Sequence, residues 1–395
     1  MKKSLIAVAV ASAFVAPAAM AEVTLSGAIN LGIQVGRTNG GPGGQSLTRT
    51  QLGANYSHMD LESVDDIGGG NKVIFHYQMD ISGTSSAQPG QAGGAIGNRN
   101  SFLGVAGGWG AFKMGTNENV YERFMYTADP LDGAAGVGGN LTLLGTPGAG
   151  AIFQVGQNPG NGPQVDFYRR SEQTIWYESP NWSGFSFEID RTLSAYKTAS
   201  TPTTPGIDPT ITSIGGKFQP EGAPFYVDLA YEIHKDMFGL TAIAAANGAT
   251  VVGKSSTDTG LQIGAGYTIG DLNLHFRVEQ LKYKEDGVIG PVSEYKRNAE
   301  WIGVKYNLPT GYFGGEVGIA QSGKTNVGTV SDTGAKLYAL GYFHNLSKQS
   351  QMQFIYGVIK NDKSGTYEQA GAPEGALGTP GGTQQTFTVA LKHTF

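Results

Sequence analysis

The chain has no cysteine among its 395 residues, so an exported form of it would have to be stable without disulfides. Charged residues make up only 15% of the sequence, against about 25% in soluble domains. Beyond its first residues it has no run of 18 apolar side chains, which excludes a membrane-spanning helix. The formal net charge is −5, and this acidic balance argues against nucleic acid as a partner.

The first 21 residues have the features of a secretory signal. Lys2 and Lys3 give a positive start, residues 5–15 are apolar, and residues 19–21 form a small-x-small cleavage site. The apolar stretch is too short for a transmembrane helix. We therefore predict that residues 1–21 are a signal peptide removed on export, and that residues 22–395 form the mature protein.

The sequence does contain segments in which apolar and polar residues alternate, and residues 23–35 show this alternation best. Val23 and Leu25 share one parity with other apolar residues, whereas Thr24 and Ser26 share the other parity with polar ones. Successive side chains of a strand face opposite sides of a sheet. The segment is therefore predicted to be a strand with one apolar and one polar face. Closed into a cylinder with the apolar face outward, such strands can cross a membrane.

Sixteen alternating segments are predicted, most of them about ten residues long, which is enough to cross the ~25 Å apolar band of an outer membrane. Short turns alternate with long polar loops between them, with a somewhat longer turn at 61–70. This sorting predicts an all-β, sixteen-stranded antiparallel transmembrane β-barrel with short periplasmic turns and long outer loops. The segments are 23–35, 48–58, 71–81, 98–106, 110–116, 170–178, 184–191, 211–218, 224–234, 259–269, 271–281, 297–308, 311–321, 334–344, 351–360 and 385–395.

The charges fix which face of a strand points inward. In the segment 224–234, Val227 and Leu229 are predicted to face lipid, and Asp228 and Glu232 to face the lumen. The opposite orientation would put charge into lipid, where an Arg or Lys costs about 2–4 kcal/mol at mid-depth. Two segments are apolar on both faces and leave their orientation open: 98–106 and 334–344.

Sixteen strands leave an aqueous channel, whereas about eight fill their own interior. The sequence thus predicts passive passage of ions and small hydrophilic solutes. Loop 117–169 is the longest, and loops of that length are usually functional or disordered. Folded inward, its carboxylates would face wall cations across a narrow opening; the alternative is an exposed loop with solvated charges. The predicted constriction residues are Arg49, Arg99, Lys113 and Arg170 on the wall, and Glu118, Glu122, Asp129 and Asp132 at the start of the loop.

Several segments match a family in order and spacing. Residues 61–75 resemble the hairpin G-x-E-D-L-G-x-G-x-K-A-x-F of the Gram-negative trimeric general porins, β-proteobacterial (neisserial and Burkholderia-like) type. Residues 98–110 resemble R-x-S-F-x-G-L-x-G-G-F-G, residues 170–180 resemble R-x-D-N-S-x-x-Y-D-S-P, and residues 344–348 resemble the turn Y-x-L-S-K-R-T. The closing residues 391–395 are similar to the family's terminal aromatic signal.

The resemblance implies a trimer in the outer membrane of a Gram-negative bacterium, with the third outer loop folded into the pore. It implies that Asp129 and Asp132 face a basic ladder of Arg49, Arg99 and Arg170, and that the barrel-insertion machinery reads Phe395. The sequence departs from the family at two positions where an arginine is common. These are Thr116 and Trp176, and their lack of charge leaves the ionic preference open.

Three other interpretations remain. The barrel could be a receptor or adhesin acting through its loops, a hydrolase with Ser, His and an orienting acid or amide, or a soluble periplasmic β-protein. Residues 248–255 match the phosphate-loop pattern, but that site needs a helix directly after it, and a strand is predicted there. No His or carboxylate spacing suggests a metal site. We therefore predict no enzymatic activity, no cofactor and no metal.

Overall fold

The computed structural model describes residues 22–40, 46–53, 56–81, 99–131, 137–148, 165–201, 206–246, 253–369 and 380–395. The predicted signal peptide and Asp132 lie outside this range. The described chain consists mostly of strands, in the order β1 (Glu22–Asn39), β2 (Leu47–Gly53), β3 (His58–Gly68), β4 (Asn71–Asp80), β5 (Ser101–Gly107), β6 (Gly110–Glu118), β7 (Arg170–Glu178), β8 (Phe185–Thr192), β9 (Thr210–Phe218), β10 (Phe225–Lys235), β11 (Ser255–Ile269), β12 (Leu272–Asp286), β13 (Glu294–Leu308), β14 (Gly311–Ala320), β15 (Lys324–Thr325), β16 (Gly328–Thr329), β17 (Ala335–Asn345), β18 (Ser350–Asn361) and β19 (Thr383–Thr394).

The strands form one closed antiparallel barrel. β19 pairs with β1 from Ala28 and Thr394 at one end to Asn39 and Thr383 at the other, which closes the cylinder. β2 and β3 pair with different halves of β1 and together form one barrel strand, whereas β15 and β16 form a small hairpin beside the wall. Sixteen wall strands remain, as the sequence predicts. Among the described residues, no helix is both long enough and apolar enough to cross a membrane.

The predicted orientation of the strands is confirmed where charges fixed it. In β10, Val227 and Leu229 expose 46% and 44% of their surface on the outside. Asp228 and Glu232, at the alternate positions, are buried inside. This is the reverse of a soluble protein, in which the charged face would be the exposed one.

The structure also settles the two segments whose orientation the sequence left open. In β5, Leu103 and Val105 point outward. In β17, Tyr338 and Leu340 point outward, while Leu337 on the inner face is fully buried. β17 is apolar on both faces because its inner side packs against the third loop, so its interior contact is protein rather than water.

The turn predicted at 61–70 is wrong. β3 continues to Gly68, and the chain reverses over Gly69 and Gly70, both with positive φ. Such a φ favours glycine because it has no Cβ to clash. Alternation fails as a signal here because outward positions near the turn are polar, as at Ser63 and Asp65.

Several strands extend further into the outer loops than predicted. β11 begins at Ser255, β12 ends at Asp286 and β13 begins at Glu294, so the predicted loops 235–258 and 282–296 are shorter. An unpredicted helix, Gly239–Ala246, occupies part of the first loop. The strand that begins at Ser255 stands where the phosphate-loop pattern would require a helix.

Candidate pore constriction

After β6 the chain turns into the barrel as α1 (Val120–Tyr126). The first N–H groups of a helix have no partner within the helix, and here the barrel wall supplies acceptors. The N–H of Val120 donates to Asp190 of β8 at 2.7 Å, and the N–H of Tyr121 donates to Ser213 of β9 at 2.9 Å. Because both acceptors lie on the inner faces of their strands, α1 lies inside the barrel.

A buried ion pair in the wall holds two parts of the loop. Glu279 of β12 and Arg297 of β13 are fully buried, with 2.6 Å between Oε1 and Nη1. The Glu279 Oε2 accepts a bond from the Tyr121 hydroxyl at 3.0 Å and one from the Gly145 N–H at 2.8 Å. Arg297 donates to the carbonyl of Leu143 at 3.0 Å. The pair therefore joins the start of the loop to its returning part.

Apolar contacts fix the rest of the described loop to the inner wall. The ring of Phe167 stacks on His234 of β10 with 4.2 Å between centroids. Pro130 lies against Gly303 of β13 and Gly314 of β14, where the missing side chains leave room for it. The described parts of 117–169 thus follow the inner wall from β8 to β18 and reduce the open cross-section of the barrel.

Four predicted constriction residues meet where the loop begins. Arg170 of β7 forms an ion pair with Glu118, its register partner on β6. The Tyr56 hydroxyl donates to Glu118 at 3.3 Å, and the Arg99 guanidinium lies 4.7 Å from the centre of the Tyr56 ring. Arg99 in turn pairs with Asp80 of β4 at 2.5 Å. Both arginines are therefore neutralised by carboxylates next to them.

Glu122 is the fourth member of this group. It is buried on α1, where it accepts a hydrogen bond from the Tyr126 hydroxyl at 2.9 Å. Burial, helped by the negative charge of Glu118 and opposed by Arg170, raises the pKa of the Glu122 carboxyl to about 7. Burial likewise raises the pKa of Asp166, on the returning part of the loop, to about 7. The docked loop therefore favours the protonated form of two carboxyls.

This leads to a pH prediction. A folded-state pKa raised above the ordinary value of about 4.3 means that the native state binds more protons than the unfolded state between these values. The contribution of Glu122 to the free energy of unfolding is therefore complete below the unfolded-state pKa and is lost as the pH rises through the folded-state pKa of about 7. We expect Glu122→Gln to reduce this loss, as measured by unfolding in urea at about pH 5 and about pH 8. The exposed turn residue Glu221 provides the control, since Glu221→Gln should leave the pH dependence unchanged; an equal loss in both variants would contradict the prediction.

Two further predicted residues lie apart from this group. Lys113 donates to both carboxylate oxygens of Glu178 at 2.7 Å and lies 4.8 Å from the centre of the Phe102 ring. It is closer to the short-turn end of β6 than Glu118 is. Arg49 pairs in register with Gly36 of β1, on the lumen side of the wall.

Asp129 lies elsewhere in the barrel. Its carboxylate accepts hydrogen bonds from the N–H groups of Leu131 at 2.8 Å and Asn140 at 3.3 Å, which hold the turn at the end of α1. It interacts electrostatically with Glu316 of β14, and six strands separate β14 from β7. The structure thus brings Arg99, Arg170, Glu118 and Glu122 together and places Asp129 on a different part of the wall.

Sequence reasoning missed the residues that position the loop. The alternation of side chains along the strand predicts that Glu279 faces the lumen, and Arg297 begins a predicted strand. The contact of either residue with the loop depends on the register between β12 and β13, which the sequence does not give. Tyr56 lies at the break between β2 and β3, which the sequence does not mark. In the described ranges, no three His, Asp or Glu side chains are placed to hold a metal ion.

Comparison with known proteins gives a consistent result. A model of the Gram-negative porin family matches residues 7–364. Outer membrane porin protein 32 of Delftia acidovorans is 28% identical over 398 residues, covering 100% of both chains. Major outer membrane protein P.IB of Neisseria meningitidis is 37% identical over 125 residues, 30% of this chain and 35% of that protein.

The barrel also resembles a solved structure. An anion-selective porin from Comamonas acidovorans superposes with a TM-score of 0.69 at 22% identity, covering 95% of this chain and 100% of that one. The fold is therefore a porin fold, and the neisserial and β-proteobacterial resemblance is confirmed. With the family model matching most of the sequence, this chain belongs to the Gram-negative porin family and forms a channel in the outer membrane.

Proposed function

We propose that ions and small hydrophilic solutes pass between the docked third loop and the inner faces of β1 to β7. The observation that carries this proposal is the attachment of the loop to the opposite wall through Glu279 and Arg297. The passage that remains is bordered by polar side chains, which suits hydrated solutes. Passage of this kind is passive and needs no chemical step.

The narrow part of this passage is proposed to lie at the ion pairs Arg170–Glu118 and Arg99–Asp80. A transverse field requires charges that are separated across the opening. Here each cation has a carboxylate at hydrogen-bond distance, which makes the local charge balance close to neutral. The ionic preference is then decided by small differences between the two signs, and a single substitution is enough to change it.

Arg170→Gln and Glu118→Gln should shift the reversal potential in opposite directions. Without the Arg170 guanidinium, this group of side chains loses one positive charge and favours cations. Without the Glu118 carboxylate, it loses one negative charge and favours anions. The measurement is the zero-current potential of single channels across a salt gradient.

A matched control removes a charge from outside the pore. Lys336 is exposed on the outer face of β17, where it pairs in register with the outward Ile319. Lys336→Gln should leave the reversal potential at its wild-type value. If neither pore variant shifts the potential relative to this control, the Arg170–Glu118 pair does not border the passage.

Among the described residues, one Ser–His contact bears on the hydrolase alternative. The Ser350 hydroxyl lies 2.9 Å from Nδ1 of His393 at the exposed rim of the barrel. Hydrolysis also needs a group that orients the imidazole, and in the described part of the chain no carboxylate or amide lies within hydrogen-bond distance of His393. The pair therefore does not support hydrolysis, and we propose a non-enzymatic channel.

We further infer that the channel is a homotrimer, in line with the family resemblance and with the closed symmetry usual for oligomers. Removal of residues 1–21 on export and recognition of Phe395 by the barrel-insertion machinery belong to the same proposal. Phe395 is exposed on the outside, and its backbone N–H donates to Gly27 of β1 at 3.1 Å. A terminal aromatic at the closing seam is accessible to a protein that guides strand closure.

A further inference from the structure

The wall of the barrel is interrupted between β2 and β3, next to the proposed narrow part of the passage. The register pairs Gly32–Gly53 and Ala28–His58 leave three residues on β1 and four on the other side. An extra residue of this kind disturbs the ladder of hydrogen bonds, and such irregularities are frequent next to functional sites, where they redirect a side chain. The residues at this break are therefore candidates for a role beyond strand pairing.

Ser57 supplies hydrogen bonds where the ladder is interrupted. The backbone N–H of Asn30 on β1 donates to the Ser57 hydroxyl at 2.9 Å, and this hydroxyl donates to the Asn30 carbonyl at 3.2 Å. The carbonyl of Ser57 accepts a further bond from the N–H of Ile81 at 3.0 Å. Because buried backbone groups need partners, these bonds make the break an integral part of the wall.

Tyr56, the residue before Ser57, has a backbone conformation that favours glycine. Its φ is 55°, in the left-handed region, where a bulky residue is an outlier. Such a conformation is costly and persists only where the surrounding contacts hold it, as they often do at functional sites. A glycine would adopt it without strain. The side chain is therefore the part of Tyr56 that needs an explanation.

The side chain of Tyr56 connects the two ion pairs of the proposed constriction. The Arg99 guanidinium lies 4.7 Å from the centre of its ring, and its hydroxyl donates to Glu118, the partner of Arg170, at 3.3 Å. The ring meets that of Tyr126 on α1 edge to face, with 6.2 Å between centroids and 82° between planes. Since α1 lies inside the barrel, these contacts place the ring of Tyr56 in the lumen.

Tyr56 is also the member of this group that is most exposed to the water of the pore. It exposes 36% of its surface, whereas Arg99 exposes 5%. The side chains of Arg170 and Glu118 expose 12% each. A solute in the passage therefore contacts the aromatic ring before the Arg99 guanidinium. The ring narrows the opening and separates the charge of Arg99 from the solute.

We propose that Tyr56 is a specificity-determining residue of the channel, which limits the size of passing solutes and screens Arg99 from them. The proposal rests on the passage inferred above and adds the side chain that defines its width at the narrow part. Tyr56 acts through its ring, since its hydroxyl bond to Glu118 is longer than the usual range of about 2.5–3.0 Å for such bonds. The strand break and the left-handed backbone hold the ring in this position.

The first test measures the size limit with neutral solutes. Single-channel conductance is recorded with polyethylene glycols of graded size, which lower the conductance only when they enter the channel. Tyr56→Gly removes the ring at a position whose backbone favours glycine, so we expect the same barrel with a higher conductance and a limit at larger polymers. Tyr56→Phe keeps the ring and should retain the wild-type limit. Tyr338→Gly, which removes a tyrosine from the outer face of β17, should also match the wild type.

The second test measures the zero-current potential of the same proteins across a salt gradient. The loss of the ring exposes Arg99 to the passage, so Tyr56→Gly should shift the potential toward anions, while Tyr56→Phe and Tyr338→Gly stay at the wild-type value. A wild-type size limit and a wild-type potential in Tyr56→Gly would overturn the proposal. Equal changes in Tyr56→Phe and Tyr56→Gly would also overturn it, because the hydroxyl rather than the ring would then be responsible.

The variants of the neighbouring ion pair keep this proposal separate from the proposed passage. If Arg170→Gln and Glu118→Gln shift the potential and Tyr56→Gly changes nothing, the group borders the passage and only the role of Tyr56 is wrong. If Tyr56→Gly changes the size limit while the ion-pair variants leave the potential unchanged, the ring borders the passage and the assignment of ionic preference to the pair is wrong.

Discussion

Glu279→Ala should release the third loop from the wall and raise the single-channel conductance. The substitution leaves the fully buried guanidinium of Arg297 without its carboxylate. It also removes the acceptor for Tyr121, near the start of the loop, and for Gly145, in its returning part. Removing one partner of a buried ion pair costs about 3–5 kcal/mol, and here that cost falls on the docked state of the loop.

A neighbouring ion pair on the same two strands is the control. Lys282 of β12 and Glu294 of β13 are 2.8 Å apart but partly exposed, and pairs of this kind contribute about 0–1 kcal/mol. Lys282→Ala should therefore leave conductance and unfolding free energy nearly unchanged. The measurements are single-channel conductance in planar bilayers and urea unfolding in lipid vesicles. Unchanged conductance in Glu279→Ala would show that the ion pair does not hold the loop.

A second variant separates the two contributions of Glu279 to loop docking, which are hydrogen-bond acceptance and compensation of the Arg297 charge. Glu279→Gln keeps an oxygen that can accept from the loop but removes the charge that compensates Arg297. If the loop is held mainly by hydrogen bonds to Tyr121 and Gly145, this variant stays close to the wild type. If charge compensation dominates, it behaves like the alanine variant.

The barrel could be predicted from the sequence because its main constraint is local. A strand between lipid and water must alternate at every second residue, and β10 and β19 show this without reference to any other strand. The same reasoning fails for β3, where the outward residues near the turn are polar, and for β17, whose inner face contacts the loop. In β17 the alternation is lost because the inner face meets protein rather than water. In β3 it is lost because the outward positions next to the turn carry polar side chains.

The candidate site could be predicted only in part. Parity placed Arg49, Lys113 and Arg170 on the inner wall, but it does not say which carboxylate meets which cation. The pairing of Arg170 with Glu118 depends on the register of β6 and β7, which shifts between Gly115 and Asn117.

The path of the third loop could not be predicted from the sequence for a related reason. Its position depends on contacts between residues far apart along the chain, as between Arg297 and Leu143 or between Phe167 and His234. No periodic pattern records such contacts. The sequence identified the loop by its length and its acids, and the structure identifies the wall residues that hold it.

Leu229→Arg should lower the unfolding free energy in lipid vesicles by about 2–4 kcal/mol, the cost of a basic side chain at mid-depth on the lipid face of a barrel. Leu229 lies near the middle of β10 and exposes 44% of its surface on the outside. In water an exposed leucine could be replaced by arginine with little effect, since surface substitutions usually change stability by about 0.5 kcal/mol or less. The size of the loss therefore reports which medium surrounds this face.

Ile289 makes the comparison specific, because it is more exposed than Leu229 but lies in the outer loop between β12 and β13. It exposes 86% of its surface, and the outer loop lies in water. Ile289→Arg should therefore cost almost nothing in the same urea titration. If the exposed fraction of the side chain alone set the cost, Ile289→Arg would cost at least as much unfolding free energy as Leu229→Arg. A small cost at both positions would mean that the apolar outer face of β10 is in contact with water, whereas a large cost at Leu229 alone requires hydrocarbon around the barrel.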